Sequence, residues 1–225
     1  MEIKGESIIL RDYIEADIED DIYWETVETE WQLWDAPWEY EEGEFFDSDK
    51  YCKKMLETLN SQKDKNRIRR KFEICIDNEK KTHIGGCNSY NIDSNYKYTK
   101  GHGKCTIGID ICSVNARGKG YATSALKLFI YYLMSNGFNE FYTQTWSGNY
   151  RMIGLAEKLG FEECNREDNI RIVRGSYYDG LTFRLNIEKF INNHPLIQAN
   201  NGSSFSYRTK SLKAIAGVVI KSKFI

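Results

Sequence analysis

The chain has 225 residues, a formal net charge of −2 at pH 7, 14% aromatic residues and only two prolines. That length can fill one hydrophobic core, and the aromatic content is typical of a folded protein rather than a disordered one. The apolar runs fall short of the ~20 residues that cross a bilayer, and the charged residues 1–6 lack the apolar core of a signal peptide, so we expect a cytoplasmic protein without a membrane partner.

The six cysteines are scattered along the chain without a C-x-x-C pair, and the chain has only three histidines, His83, His102 and His194. A structural zinc site needs clustered cysteine and histidine ligands. We therefore predict reduced thiols and no metal.

Charge is distributed unevenly along the chain. Residues 12–49 hold sixteen Asp and Glu without a single Lys, Arg or His, whereas residues 191–225 hold five Lys or Arg and no acid. An acidic lobe would attract a cationic substrate, and a solvated acidic helix face explains the same pattern equally well. The basic stretches are short and separate, so we expect no nucleic-acid partner.

The first third of the chain predicts a strand over residues 3–11 and then a helix over residues 12–29. The apolar spacing of that helix places Ile14, Ile18, Ile22 and Val27 inward. A second helix is predicted over residues 47–62, and strands over residues 72–76 and 82–90. Gly85 and Gly86 in the second of these strands favour a β-bulge.

Three tryptophans fall within residues 31–38, in a stretch that Pro37 prevents from being one continuous helix. These side chains either plug one end of the core or line a pocket for an acceptor substrate. On the second interpretation the candidate substrate-binding residues are Trp34, Asp35, Trp38 and Glu39.

The second half predicts a regular alternation of strands and helices. A strand over residues 105–112 leads to a helix that begins near Ala122 and is capped by Gly137; a strand over 141–145 leads to a helix over 150–159, capped by Gly160. Strands near 171–174 and 181–187 complete the pattern. Six apolar residues form one stripe of the first helix: Ala125, Leu126, Phe129, Ile130, Leu133 and Met134.

The turn between the first of these strands and its helix reads Arg-Gly-Lys-Gly-Tyr-Ala. Glycines allow the backbone to approach a ligand closely, and the free N–H groups at a helix N-terminus bind anions. A Walker loop and a dinucleotide fingerprint both fail on spacing. The turn therefore predicts a diphosphate site whose candidate residues are Arg117, Gly118, Lys119, Gly120, Tyr121 and Ala122.

These motifs resemble the GCN5-related N-acetyltransferase (GNAT) family, and in particular the branch that acetylates ribosomal-protein N-termini and small amines. The family signature Gln/Arg-x-x-Gly-x-Gly/Ala is matched by Arg117, Gly120 and Ala122. A second block, Asn followed eleven residues later by Gly-Phe, is matched by Asn149 and Gly160. The resemblance covers roughly residues 3–190.

The resemblance implies an α+β fold, with a mixed, mostly antiparallel sheet that is splayed at its centre and flanked by helices. It implies one catalytic domain over residues 1–190, and leaves residues 191–225 as a basic extension of unknown role. It also implies transfer of an acetyl group from acetyl-coenzyme A to a primary amine, either a protein N-terminus or a small cationic amine. A homodimer is compatible with this family.

Residue roles follow from the same resemblance. The backbone near Ile109 and Ile111 would pair with the pantetheine arm and face the thioester carbonyl, and Asn149 would contact that arm. Asp110 is the first candidate for the general base, and an acid within residues 35–44 is the second. Each of these has a structural alternative, a surface ion pair for Asp110 and a helix N-cap for Asn149.

The chain departs from the family at two positions. A tyrosine that acts as general acid in many members is Ala156 here, and a serine found nearby is Met152. Tyr121, Tyr142 and Tyr150 are the candidate substitutes. The departures leave a second hypothesis open, namely a catalytically impaired sensor or interaction module that binds coenzyme A.

Overall fold

A computed structural model describes residues 1–41, 46–61 and 67–195. The expectations for the acids at 42 and 44 and for most of the extension lie outside these residues. In chain order the elements are β1 (Glu2–Lys4), β2 (Ile8–Arg11), α1 (Asp17–Thr26), a 3₁₀ helix (Thr29–Leu33), α2 (Trp38–Glu41), α3 (Ser48–Ser61), β3 (Lys71–Ile76), β4 (His83–Ile92), β5 (Tyr98–Thr99), β6 (Lys104–Ile111), a 3₁₀ turn (Val114–Ala116), α4 (Tyr121–Ser135), β7 (Phe141–Trp146), α5 (Tyr150–Leu159), β8 (Phe161–Val173), β9 (Ser176–Leu185) and α6 (Ile187–Asn193).

The strands described form one sheet in the order β1-β2-β3-β4-β6-β7-β9-β8, with β5 paired to β4. Within the described ranges, β6 and β7 make the one parallel pair, and the other neighbours are antiparallel. A parallel pair needs a long crossover connection, which α4 provides here. The predicted mixed, mostly antiparallel sheet with flanking helices is confirmed.

The parallel pairing of β6 with β7 is very short. It consists of Cys105 opposite Phe141 and Thr106 opposite Tyr142. Both strands continue beyond it, β6 to Ile111 and β7 to Trp146. The hydroxyl of Thr143 donates to the carbonyl oxygen of Ile107 at 2.9 Å, just where the ladder ends. Beyond that point the strands part, and we call the space between residues 107–111 and 143–146 the wedge.

Helix α4 supplies much of the core on one face of the sheet. All six residues of its predicted apolar stripe are buried, and Phe129 meets Phe72 of β3 edge to face. Burying a side chain of that size stabilises the fold by roughly 1.5–3 kcal/mol. At the C-terminal end of the described chain, Phe190 of α6 is also buried and packs against Tyr131.

The N-terminal elements differ from the sequence-based prediction. Residues 3–11 form two paired strands rather than one, because the chain turns at Gly5, whose N–H donates to Ile8. Helix α1 begins at Asp17 rather than residue 12, since the Asp17 carboxylate accepts the N–H of Ile14 and closes a turn there. Ile14 therefore lies before the helix and is 47% exposed, and Val27, which follows the last helical residue Thr26, is 66% exposed, although both were predicted to face inward.

Strand β8 was predicted only at its end, although it begins at Phe161. Most of its residues are polar and exposed because β8 lies at the edge of the sheet and pairs with β9 alone. Such a strand has no buried face to impose a period of two on its sequence.

The bulge predicted at Gly85–Gly86 is confirmed by a shift of register between β3 and β4 after Ile74. Gly85 has φ +147°, and a Cβ there would lie 2.0 Å from the carbonyl oxygen of Asp110 on β6. This close approach of two backbones holds β6 against β4 beside the wedge.

We expect Gly85→Ala to destabilise the fold by about 2 kcal/mol or more, because the added methyl group pushes β6 off β4 and strains the backbone. Urea unfolding would measure the change. The matched control is Gly154→Ala in α5, where a Cβ meets open space; we expect it to stabilise the protein by about 0.5–1 kcal/mol. An unchanged midpoint for Gly85→Ala would contradict the close approach.

Candidate functional site

The turn that precedes α4 has the geometry of an anion site. Gly118 and Gly120 have φ +72° and +82°, and a Cβ at either position would meet no atom within 4 Å. Gly120 is the N-cap of α4 and no side chain caps the helix. The N–H groups of residues 118–123 donate to no described residue, and residues 118–120 are exposed. The helix dipole adds about half a positive charge to these free donors.

Arg117 lies beside this turn, but its own chain engages its guanidinium. The Nε donates to the carbonyl oxygen of Ile111 at 2.9 Å, and an Nη donates to that of Cys112 at 3.3 Å. The remaining Nη pairs with the carboxylate of Glu30. Arg117 therefore fastens the glycine turn to the end of β6, and its predicted contact with a diphosphate stays a prediction.

Asn149 is the N-cap of α5, which confirms the helix-cap alternative predicted for this residue. Its Oδ1 accepts the N–H of Met152 at 3.0 Å, and its Nδ2 donates to the carbonyl oxygen of Trp34 at 2.9 Å. Only 9% of the residue is exposed. Both ends of the carboxamide are thus engaged, and its predicted contact with a cofactor arm also stays a prediction.

Asp110 lies on the sheet face opposite α4, because Ile109 and Ile111 on either side of it pack toward the core. Its carboxyl is half-buried in a recess, and burial raises its pKa well above the usual range; the nearby carboxylate of Asp35 raises it further, against Lys71. A carboxyl with a raised pKa is suited to taking a proton near neutral pH.

Further groups surround the recess. Asp35 keeps access to solvent, yet crowding by the protein and the nearby Glu39 both raise its pKa. Burial, with Asp35 as a second cause, raises the pKa of Tyr90, whose hydroxyl donates to Gln144 at 3.3 Å. Crowding by the protein raises the pKa of Tyr40, and the charges of Glu25, Asp35 and Asp110 raise it further. We call Asp35, Glu39, Tyr40, Tyr90 and Asp110 the acidic recess.

Trp34 and Trp38 are half-buried at the end of β7, outside the core cluster. Each indole face carries an arginine of the same chain, Arg151 at 4.0 Å from the Trp34 ring and Arg171 at 4.4 Å from the Trp38 ring. The rings therefore bind guanidinium groups already, and they border the acidic recess rather than plugging the core.

The fold brings together one cluster that the sequence did not predict. His83 lies 3.0 Å from Asp20 and 3.4 Å from Asp17 through Nδ1, and 3.2 Å from Glu73 through Nε2. Burial lowers the pKa of His83, but the carboxylates outweigh it and the net shift is upward. Asp17 is also held by both Nη atoms of Arg11. With carboxylates on both sides of the ring and Arg11 on Asp17, the geometry is that of an internal ion-pair network.

The candidate substitutes for a general acid lie in different places. Tyr142 donates its hydroxyl to Glu140 at 2.8 Å, Tyr150 is 65% exposed, and Tyr121 is half-buried at the first residue of α4. Tyr121 is thus the one of the three that belongs to the anion site.

Sequence reasoning missed Glu30, Arg151, Tyr40 and Tyr90. Glu30 and Arg151 lie far apart in sequence and meet only after folding, at 3.3 Å. Neither belongs to a local motif. The tyrosines were hidden for the same reason, since a lone aromatic residue in a strand or a short helix indicates packing rather than chemistry.

Comparisons with known proteins agree on one family. Residues 7–162 match the family model of the acetyltransferase (GNAT) domain. The uncharacterized N-acetyltransferase YokL, derived from the SPbeta prophage of Bacillus subtilis (strain 168), is 33% identical over 79 residues, which are 35% of this chain. The match spans 45% of the length of YokL, so the chain covers less than half of that relative.

Two solved structures show the same fold at low identity. RimL, a ribosomal-protein alpha-N-acetyltransferase in complex with coenzyme A, is similar with a TM-score of 0.61 and 14% identity over 82% of this chain and 97% of its own. A chimera of the Vibrio cholerae spermidine N-acetyltransferase SpeG and hSSAT is similar with a TM-score of 0.57 and 15% identity, over 82% of this chain and 98% of its own. Among the described residues no helix is long and apolar enough to cross a bilayer.

Proposed function

The chain belongs to the GNAT acetyltransferase family, and on that premise we propose that it moves the acetyl group of acetyl-coenzyme A to a primary amine on a cationic acceptor. Family membership makes the domain an acetyl-coenzyme-A-dependent acyltransferase, as the sequence predicted. The observation that carries the proposal is the row of exposed, unpaired N–H groups at the start of α4, beside the wedge between β6 and β7.

The N–H groups of residues 118–122 would hold the diphosphate, and the exposed side chain of Lys119 would add charge. The pantetheine arm resembles a peptide and would lie in the wedge along Ile109 and Ile111, as an added strand does. A backbone N–H of that edge would stabilise the oxyanion that forms on the thioester carbonyl oxygen when the amine attacks. Arg117 and Asn149 complete the proposed cofactor site.

The residues of the acidic recess would carry out the acetyl transfer. Asp110 takes a proton from the acceptor ammonium, directly or through water, and the neutral amine attacks the thioester carbonyl. The new C–N bond gives a tetrahedral oxyanion, and as this collapses the C–S bond breaks and the thiolate leaves with little help because thiol pKa values lie near 8.5. The thiolate takes up the second proton, which the nitrogen loses as it becomes an amide. Asp35 and Glu39 draw the positive charge of the acceptor toward Asp110, with Trp34 and Trp38 at the rim.

The acceptor class rests on the recess and on the likeness to known enzymes. The carboxyl groups of Asp35 and Asp110, on which Lys71 acts as a nearby cation, favour a positively charged acceptor such as a protein N-terminus or a polyamine. RimL acts on a protein N-terminus and SpeG on spermidine. We therefore place the chain in the branch that acetylates N-termini and small amines, with a cytoplasmic location and a homodimer as further predictions.

A second candidate function is a sensor that binds coenzyme A without turnover. It is favoured by Ala156, which is buried where many relatives have a tyrosine. Release of free thiol from acetyl-coenzyme A separates the two functions. An enzyme releases thiol only when an acceptor amine is present, and a sensor binds the cofactor without releasing it.

We expect Gly120→Glu to abolish binding of coenzyme A, because a carboxylate and a strained backbone would occupy the anion site. Calorimetry measures the affinity. The control is Gly137→Glu at the other end of α4, where φ is +93° and a Cβ also meets open space. Wild-type affinity in Gly120→Glu would contradict the proposed site.

We expect Asp110→Asn to lower kcat by about 100-fold or more while leaving the affinity for coenzyme A unchanged. In the wild type, kcat/KM should fall as the pH falls through the raised pKa of Asp110, since a protonated carboxyl cannot accept the proton. The variant should lose this acidic limb and keep only the one set by the acceptor amine. Thiol release across a pH series measures both, and equal profiles would remove Asp110 from the mechanism.

We expect Asp35→Asn to raise KM for spermidine roughly fivefold, the equivalent of about 1 kcal/mol for a partly exposed charge. A monoamine of similar length, such as butylamine, should be affected less, because it carries one charge. Thiol-release assays with both amines and with an N-terminal peptide measure the difference. Equal KM values in wild type and variant would show that the recess does not select charge.

A further inference from the structure

One short segment, residues 29–34, contacts both sides of the wedge, and we call it the strap. It consists of the 3₁₀ helix Thr29–Leu33 and its C-cap Trp34. None of the five helical residues is buried. Hydrogen bonds, such as those from Trp31 to Trp24 and from Arg174 to Leu33, hold the segment more than apolar burial does, so a ligand that offers equivalent acceptors can compete with it.

On the β6 side, the strap is held through Glu30. Its carboxylate pairs with Arg117, which in turn binds the carbonyl oxygens at the end of β6. The same carboxylate lies 3.3 Å from the guanidinium of Arg151 and accepts the Nε1–H of Trp34 at 2.9 Å. Glu30 therefore places a negative charge between two arginines beside the anion site.

On the β7 side, the strap is held through a backbone carbonyl. The oxygen of Trp34 accepts two hydrogen bonds, from Trp146 Nε1 at 2.8 Å and from Asn149 Nδ2 at 2.9 Å. Trp146 ends β7 and Asn149 caps the next helix. The side-chain donors at both ends of the wedge are thus bound to acceptor atoms of a single segment.

We propose that the strap competes with acetyl-coenzyme A, here called the carrier, for the wedge. Glu30 is the residue that sets the strength of this competition. A carboxylate on Arg117 stands where a diphosphate would supply negative charge, and a peptide carbonyl on Asn149 stands where the carrier's amide would supply an oxygen. The inference rests on the proposed function, since it needs a ligand that has both a diphosphate and an amide.

The competition lowers the apparent affinity for the carrier. Only molecules with the strap displaced bind it, so the apparent Kd equals the intrinsic value divided by the displaced fraction. Removing the charge of Glu30 weakens the hold of the strap on the two arginines. It also removes the repulsion between the Glu30 carboxylate and an incoming anion. Both effects act in the same direction.

Glu30→Gln tests this in the full-length protein, with coenzyme A as the titrant in calorimetry. We expect its Kd to fall at least fivefold relative to wild type. The matched control is Glu15→Gln, which removes the same charge from an exposed site before α1 and should leave Kd unchanged. A Kd for Glu30→Gln that is equal to or weaker than wild type would overturn the competition.

Hydrogen exchange gives a second readout on the wild type. The N–H groups of Trp34 and Asp35 donate to the carbonyl oxygen of Trp31 within the strap. They should exchange faster when coenzyme A is bound, because the carrier displaces the strap. Slower exchange would show that the strap closes over the carrier, which overturns the inference.

The two proposals fail in distinguishable ways. If neither wild type nor Glu30→Gln binds coenzyme A, the proposed function is wrong and the competition falls with it. If both bind with the same Kd and the wild type releases thiol from acetyl-coenzyme A in the presence of an amine, the proposed function stands and the competition alone is wrong. Unchanged thermal unfolding in Glu30→Gln would show that any gain in affinity arises in the folded protein.

Discussion

The structure depends on a parallel ladder that stops after two residue pairs. Cys105 and Thr106 pair with Phe141 and Tyr142, and beyond these residues β6 and β7 are not paired with each other. A sheet normally satisfies its backbone groups through neighbouring strands. Where this one does not, it leaves an edge that suits an extended, amide-bearing ligand. The glycine turn follows the end of β6, and Asn149 follows the end of β7. The N-termini of α4 and α5 therefore both lie at the wedge.

The acidic residues between 12 and 49 have different kinds of interaction partner, which the net charge of the segment does not reveal. Asp12 and Asp17 pair with Arg69 and Arg11, so they carry little free charge. Asp21 accepts hydroxyl groups from two tyrosines. Asp35 faces another carboxyl, that of Asp110, and burial works against ionisation of both. These acids are thus largely engaged within the protein, and attraction of a cationic substrate by Asp35 stays a prediction.

Sequence reasoning succeeded where structure is determined locally. The apolar stripe of α4, the bounds of α5 and the glycine turn follow from periodicity, capping and backbone freedom, all of which act within a few residues. It failed for β8, whose exposed surface imposes no pattern, and for the contact of Glu30 with Arg117, which joins residues far apart in sequence. The sequence placed Arg117 and Asn149 beside the site, but it could not predict that their donors are already bound to the chain itself.

The short ladder also divides the sheet into two plates. Strands β1 to β6 form one and β7 to β9 the other, and each is continuous through antiparallel pairs of its own. The plates meet through two residue pairs of the ladder, the Thr143 hydroxyl, side-chain contacts such as Tyr90 with Gln144 and Lys97 with Glu167, and the buried flank of α4. Among the described strands, the junction thus relies on side-chain contacts and on α4 more than on backbone pairing. Most of the backbone of residues 107–111 and 143–146 is left unpaired across it.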